Sequence, residues 1–215
     1  MFLDPTLVVD EFGEVSSPDA GRNDPNNQYL SVAFVEENLK YWKDPIFEIP
    51  ADLRAAAVEA FHKQQKFVGL CNQAGARIIA GTDGPSIGRL MAGFGLHREL
   101  ELLIGSGLSP LQALRAATIT AAEALGREND LGTIERGKLA DIVVVNGDPL
   151  EDLQNLRKIH MVIEGGKAYS PEGLLHQVRS QENESSEQFT HPTALVAGEE
   201  QLFPNSVTEE LRIIR

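Results

Sequence analysis

The chain has 215 residues, 42% of them hydrophobic, which is enough to bury a core in one domain or in one domain and a small second one. Its formal net charge of -13, with no basic cluster, argues against nucleic acid or an anionic membrane surface as a partner. No apolar run approaches the ~20 residues of a membrane span. Met1 to Asp10 has neither a basic flank nor a cleavage site, so the sequence does not read as carrying a signal peptide and a cytoplasmic location is the default. Cys71 is the single cysteine, which excludes an intrachain disulfide and a cysteine-based zinc cage.

Leu7, Val8 and Val9 follow Pro5 as a brief apolar run and predict a short buried strand. Residues 10–50 are rich in Gly, Pro and Asn, the composition of a long functional loop or lid. Within it Val32, Phe34, Val35 and Leu39 are spaced for a short helix that carries Tyr41 and Trp42 at its end. From Asp52 the period becomes helical, with Leu53, Ala57, Ala60, Phe61, Val68 and Cys71 on one face, Asp52 as the expected cap and Gly75 as the stop. Arg77 to Ala80 then read as a strand that ends in Gly81, Thr82, Asp83 and Gly84. Strand, helix, strand is a parallel crossover, whose functional groups lie just past the C-terminal strand ends.

Leu96, Leu100 and Leu103 mark the buried stripe of a further helix. Ser109 with Gln112, around Pro110, and Thr120 with Glu123 each match a capping box, and Gly126 closes the second helix. After Asp130 the pattern turns to sheet: Thr133–Ile134, Ile142–Val145, His160–Ile163, and a Gly165-Gly166 turn into Lys167–Tyr169. Seven acidic residues and no Lys or Arg lie between Ser180 and Glu210, the composition of a poorly ordered tail.

Asp83 is the sharpest chemical candidate. A carboxylate on a Gly-rich bend at a strand end can ligate a metal and take a proton from its bound water, whereas on spacing alone a Gly-x-Asp-Gly turn is more often plain turn chemistry. Its surroundings add weight. Ile78 to Gly84, Leu96 to Leu103, Gly107 to Thr118, Leu131 to Val143, Gly147 to Asp152 and Val162 to Lys167 follow one another in an order that resembles the C-terminal half of the amidohydrolase superfamily, nearest its imidazolonepropionase-like and prolidase-like branch.

That resemblance, over about residues 1–170, implies an α/β fold: the C-terminal portion of a (β/α)8 TIM-type barrel plus part of a small β-sandwich. It places the last two barrel units with their following helices at 1–130, part of the sandwich at 131–175 and the acidic tail at 176–215. Pro5-Thr6-Leu7 would be the seventh barrel strand and Ile78 to Asp83 the eighth. The implied activity is metal-dependent hydrolysis of carbon–nitrogen bonds of amide, cyclic amide or dipeptide type in a small-molecule substrate. Asp83 would be both metal ligand and general base, and the metal a divalent ion, zinc first.

The departures are equally specific. The family's His-x-His at the first strand, its Lys or carboxylate at the fourth and its histidines at the fifth and sixth have no counterpart in this chain. One aspartate cannot hold zinc, which takes three or four protein ligands, so the expectation is no catalytic metal on this chain alone. The alternative reading is a non-catalytic fragment or a subunit that needs a second polypeptide to complete the barrel, and the macromolecular partners expected are a second copy in a homo-oligomer or a missing N-terminal polypeptide. His97 is the one histidine inside a family segment and a candidate substrate contact, against the plainer reading that it packs at the start of its helix. Trp42, with Tyr29 and Tyr41, is a candidate for lining the substrate pocket, against the plainer reading that loop aromatics anchor the loop. Glu99 and Glu101 read as exposed, His62 as a solvated surface residue and Cys71 as a small core residue.

Overall fold

The computed structural model describes residues 1–11, 25–30, 35–36, 49–84 and 93–177. Strand β1 (Phe2–Leu3) pairs in parallel with β2 (Arg77–Ile78), Phe2 opposite Arg77 and Leu3 opposite Ile78. The ladder continues past the strand proper, where the Ile79 N–H donates to the Leu3 carbonyl at 2.9 Å. A guanidinium stacked on a ring locks the register at the other end, Arg77 lying 3.9 Å above the Phe2 ring.

Leu7, Val8 and Val9, expected as a strand, instead begin the helical turn α1 (Leu7–Asp10). The strand ends one residue before Asp4. Thr6 adopts a left-handed conformation (φ 43°), which breaks the extended path, and Val9 N–H bonds back to the Thr6 carbonyl at 3.1 Å. The apolar run is buried as predicted, with Leu7 and Val8 fully inaccessible, but burial alone does not select between strand and helix.

Helix α2 (Arg54–Gln73) connects β1 to β2 in space and stops at Gly75 (φ 84°). Its first turn is not capped by Asp52: Leu53 occupies the cap position, and the Leu53 and Arg54 N–H groups bond to the Pro50 carbonyl. Phe61 and Val68 face the core, and Cys71 packs beside it. Helix α3 (Phe94–Gly105) contributes the fully buried Leu100 and Leu103, each burial contributing roughly 1.5–3 kcal/mol. Helix α4 (Pro110–Ala116) opens with the predicted capping box, Ser109 and Gln112 bonding reciprocally. The second predicted box does not form. Helix α5 (Ile119–Ala124) begins after Thr118, whose hydroxyl donates to the Leu114 carbonyl. The C-terminal end of α4 is tied to the parallel sheet by the Ala80 N–H, which donates to the Ala116 carbonyl at 3.1 Å.

The second sheet is antiparallel, ordered β3 (Ile142–Val145), β4 (Ile159–Glu164), β5 (Lys167–Tyr169). Gly165 and Gly166 have φ of 53° and 84°, the two positive values that a tight two-residue hairpin requires. Buried Asp141 accepts the Gly165 N–H at 2.8 Å and so fixes that turn from the strand's start. Thr133–Ile134 form no strand, and Ile134 is exposed. Among the described residues no helix is long and apolar enough to cross a membrane. Of the expected helix around Val32 to Leu39 only Val35 and Glu36 are described, and both are helical; its other residues and all of the tail beyond residue 177 lie outside the described residues.

Candidate functional site

Because β1 and β2 are parallel, the segments that leave their C-terminal ends emerge on the same side, and two carboxylates meet there. Asp4 follows β1 directly, and its Oδ1 accepts the Gly81 N–H at 2.9 Å. Gly81 must be glycine for this contact: a Cβ there would lie 2.2 Å from the Asp4 Oδ2. Burial raises the Asp4 pKa above its ordinary value, the Gly81 and Thr6 N–H groups pull it down, and the negative charge of Asp83 adds to the rise. Asp4 and Asp83 therefore share one electrostatic environment across the two strand ends.

Asp83 sits on the bend that sequence reasoning located, with φ 49°, and its side chain is exposed. Left-handed backbone is tolerated by Asp better than by most residues, and such conformations cluster where a fold must aim a functional group. The bend is closed by the Gly84 N–H, which donates to the Thr82 hydroxyl at 3.3 Å.

Behind this edge lies a residue whose role the sequence pattern concealed. Glu99, expected on the exposed flank of its helix, is completely buried, because α1 folds over α3 and presents its free N–H groups to it. Glu99 Oε2 accepts the Val8 N–H at 2.8 Å, while Oε1 has no partner. Burial raises its pKa to about 7; the Val8 and Leu7 N–H groups oppose that rise and the charges of Asp4 and Asp10 reinforce it. Since the folded state holds this proton more tightly than an ordinary glutamate at 4.5, its contribution favours folding below pH 4.5 and is lost as pH climbs to about 7. Glu99→Gln is expected to flatten the pH dependence of stability between those values, with a gain at pH 8 on the order of 3 kcal/mol at most. Urea titrations of parent and variant at several pH values measure it, and parallel curves would refute it.

The neighbour on α3 completes the arrangement. Arg98 makes two bonds to Glu11 at the end of α1, 2.7 and 2.6 Å, and one to Glu101 at 2.6 Å. Glu101, also expected to be exposed, is partly buried and bonds Gln154 and Arg157 of the 3-10 segment Leu153–Arg157 as well. His97 belongs to this second network: burial lowers its pKa first, the Arg157 charge lowers it further and Glu101 opposes. Tyr29 stacks on Phe94 at 5.7 Å, anchoring its loop to the start of α3. Trp42 and Tyr41 lie outside the described residues. His62, His160 and His176 are exposed.

A zinc-type centre needs three or four convergent donors. Among the described residues no group of three or more His, Cys, Asp or Glu side chains is placed to hold a metal ion. Asp4 is engaged by backbone N–H groups, and Asp83 is left as a single exposed carboxylate. The described residues therefore do not by themselves assemble a metal site.

A parallel strand pair with a carboxylate on the bend beyond its second strand, followed by helices and an antiparallel sheet, defines a class of protein that sequence comparison resolves. The model of the Amidohydrolase family matches residues 31–169, more than half of the chain, and the chain belongs to that family. It is 38% identical over 117 residues to adenine deaminase 2 of Agrobacterium fabrum, covering 53% of this chain and 18% of that protein. It is 39% identical over 69 residues to an imidazolonepropionase of Geobacillus thermodenitrificans, covering 31% of this chain and 16% of that one. Among solved structures, a putative prolidase from Bifidobacterium longum superposes with a TM-score of 0.60 at 25% identity, over 84% of this chain and 39% of its own. A Xaa-Pro dipeptidase with methionine bound in its active site gives 0.56 at 25% identity, over 79% and 34%. The chain thus spans less than half the length of each of these relatives.

Proposed function

We propose that this chain is the C-terminal part of a hydrolase that cleaves a carbon–nitrogen bond of amide, cyclic amide or dipeptide type in a small molecule, with Asp83 accepting a proton from the attacking water. The observation that carries the reading is the position of Asp83, exposed on a left-handed bend beyond the end of a parallel strand, inside a chain that belongs to the Amidohydrolase family. A carboxylate so placed can take a proton from water on one face of a scissile carbonyl and return it to the departing amine. The relatives' names, a deaminase, an imidazolonepropionase and a dipeptidase, support carbon–nitrogen bonds as the target.

In this reading β1 and β2 are the last two strands of a (β/α)8 barrel, residues 1–130 are its final units, and β3 to β5 belong to a β-sandwich within 131–175. The divalent metal, zinc first, would take Asp83 as one of its ligands and polarise the carbonyl when bound. The remaining ligands would have to come from the part of the barrel that this chain does not supply. His97 and Trp42 stay as candidate substrate contacts from the loops around the site. The second reading is a subunit that completes a barrel with another polypeptide. It is favoured by the sheet of β1 and β2, which among the described residues has only these two strands. The test is to purify the full-length protein, measure bound metal by elemental analysis, and assay amides, lactams and Xaa-Pro dipeptides with added zinc. Absence of hydrolysis across all three classes would sink the enzyme reading.

A further inference from the structure

We infer that Glu99 is a positioning residue: by gripping the start of α1 it holds Thr6 and Asp4 in place, and through Asp4 it sets the Gly81–Asp83 bend. The catalytic half of this inference rests on the role of Asp83 proposed above.

The observations form an unbroken chain of contacts. Thr6, β-branched and left-handed at φ 43°, is a strained residue that persists only where its neighbours over-determine it. From one side the Asp4 carboxylate, whose pKa the Thr6 N–H lowers, lies beside it. From the other, the Val8 N–H donates to Glu99, 91 residues away in sequence. The far end of α1 is pinned by the neighbouring Arg98 through Glu11. Consecutive side chains of α3 thus clamp a four-residue turn at both ends. Asp4, held at the near end, is bonded to the Gly81 N–H, two residues from Asp83.

A purely space-filling role would not call for a glutamate. A leucine would occupy the same volume without the cost of stripping water from a carboxylate whose Oε1 finds no partner. What a leucine cannot do is accept the Val8 N–H of α1, and without that acceptor the turn loses the contact opposing the strain at Thr6.

Two substitutions separate reach from charge. Glu99→Gln keeps an oxygen at the same distance and removes the ionisable group. Glu99→Asp keeps the ionisable group and withdraws the oxygen by about 1.5 Å, the length of one carbon–carbon bond. In the full-length protein, Glu99→Asp is expected to speed deuterium uptake in peptides covering 7–10 and 79–84 only, and to lower kcat at least about tenfold with KM within about threefold. Glu99→Gln is expected to keep the parent's kcat and KM and to take up deuterium no faster than the parent in either segment. The inference is overturned if Glu99→Asp leaves uptake at 79–84 unchanged, if it raises uptake uniformly along the chain, or if Glu99→Gln is as impaired as Glu99→Asp. If the parent hydrolyses nothing, or Asp83→Asn is as active as the parent, the proposed function fails, while the uptake measurement still decides the role of Glu99.

Discussion

Asp83→Asn in the full-length protein is expected to leave the fold nearly unchanged and to lower kcat by orders of magnitude. Asparagine has the same shape as aspartate and tolerates left-handed backbone equally well, so the bend at φ 49° carries no new strain. Asp83 is exposed, and among the described residues no hydrogen bond of its carboxylate holds α1 or the sheet in place, so little stability is at stake. An amide cannot take a proton from water, and the loss falls on the chemical step. Melting temperature and steady-state kinetics on the same preparation measure the two effects separately. Activity within a few-fold of the parent would end the role assigned to Asp83, and a large fall in melting temperature would recast it as structural.

The second large effect concerns residues 1–215 expressed alone, which are expected to bind no stoichiometric metal and to show no hydrolase activity. The (β/α)8 barrel of the proposed reading closes with eight strands over typically ~250 residues. Here β1 and β2 pair with each other and with no further strand among the described residues. In that reading their outer edges await the missing barrel strands, so the isolated polypeptide should be oligomeric or prone to aggregate. Metal binding should fail for a separate reason, since a single aspartate in water is a weak zinc ligand. Elemental analysis, size-exclusion chromatography and assays of amide, lactam and dipeptide substrates provide the test. Stoichiometric metal with turnover that Asp83→Asn abolishes would show a complete site within this chain.

Local signals were readable where the physics is local. The Ser109–Gln112 box and the Gly75 stop depend on a few consecutive residues, and both form as the spacing requires. So does the Gly165-Gly166 turn, because only glycine enters two successive positive φ values without cost. The Thr120–Glu123 pattern misled for the complementary reason. Two residues at capping spacing are no cap unless the chain starts its helix there, and α5 starts at Ile119.

The amino-acid sequence by itself determined the order of the family segments, the place of Asp83 on its bend and the burial of Leu7, Val8, Leu100 and Leu103. These follow from residue types and short spacings, which survive whatever the rest of the chain does. The tertiary structure decided whether Leu7 to Val9 would be strand or helix, because the outcome turns on a left-handed Thr6 and on an acceptor 91 residues away. It decided that Glu99 is buried, since a helix's polar flank becomes interior only when another segment folds across it. It also brought Asp4 onto Gly81, 77 residues apart, a contact that needs both the parallel register of β1 with β2 and the missing Cβ. Contacts of this kind depend on the mutual placement of distant backbone groups, and no spacing within a single segment encodes them.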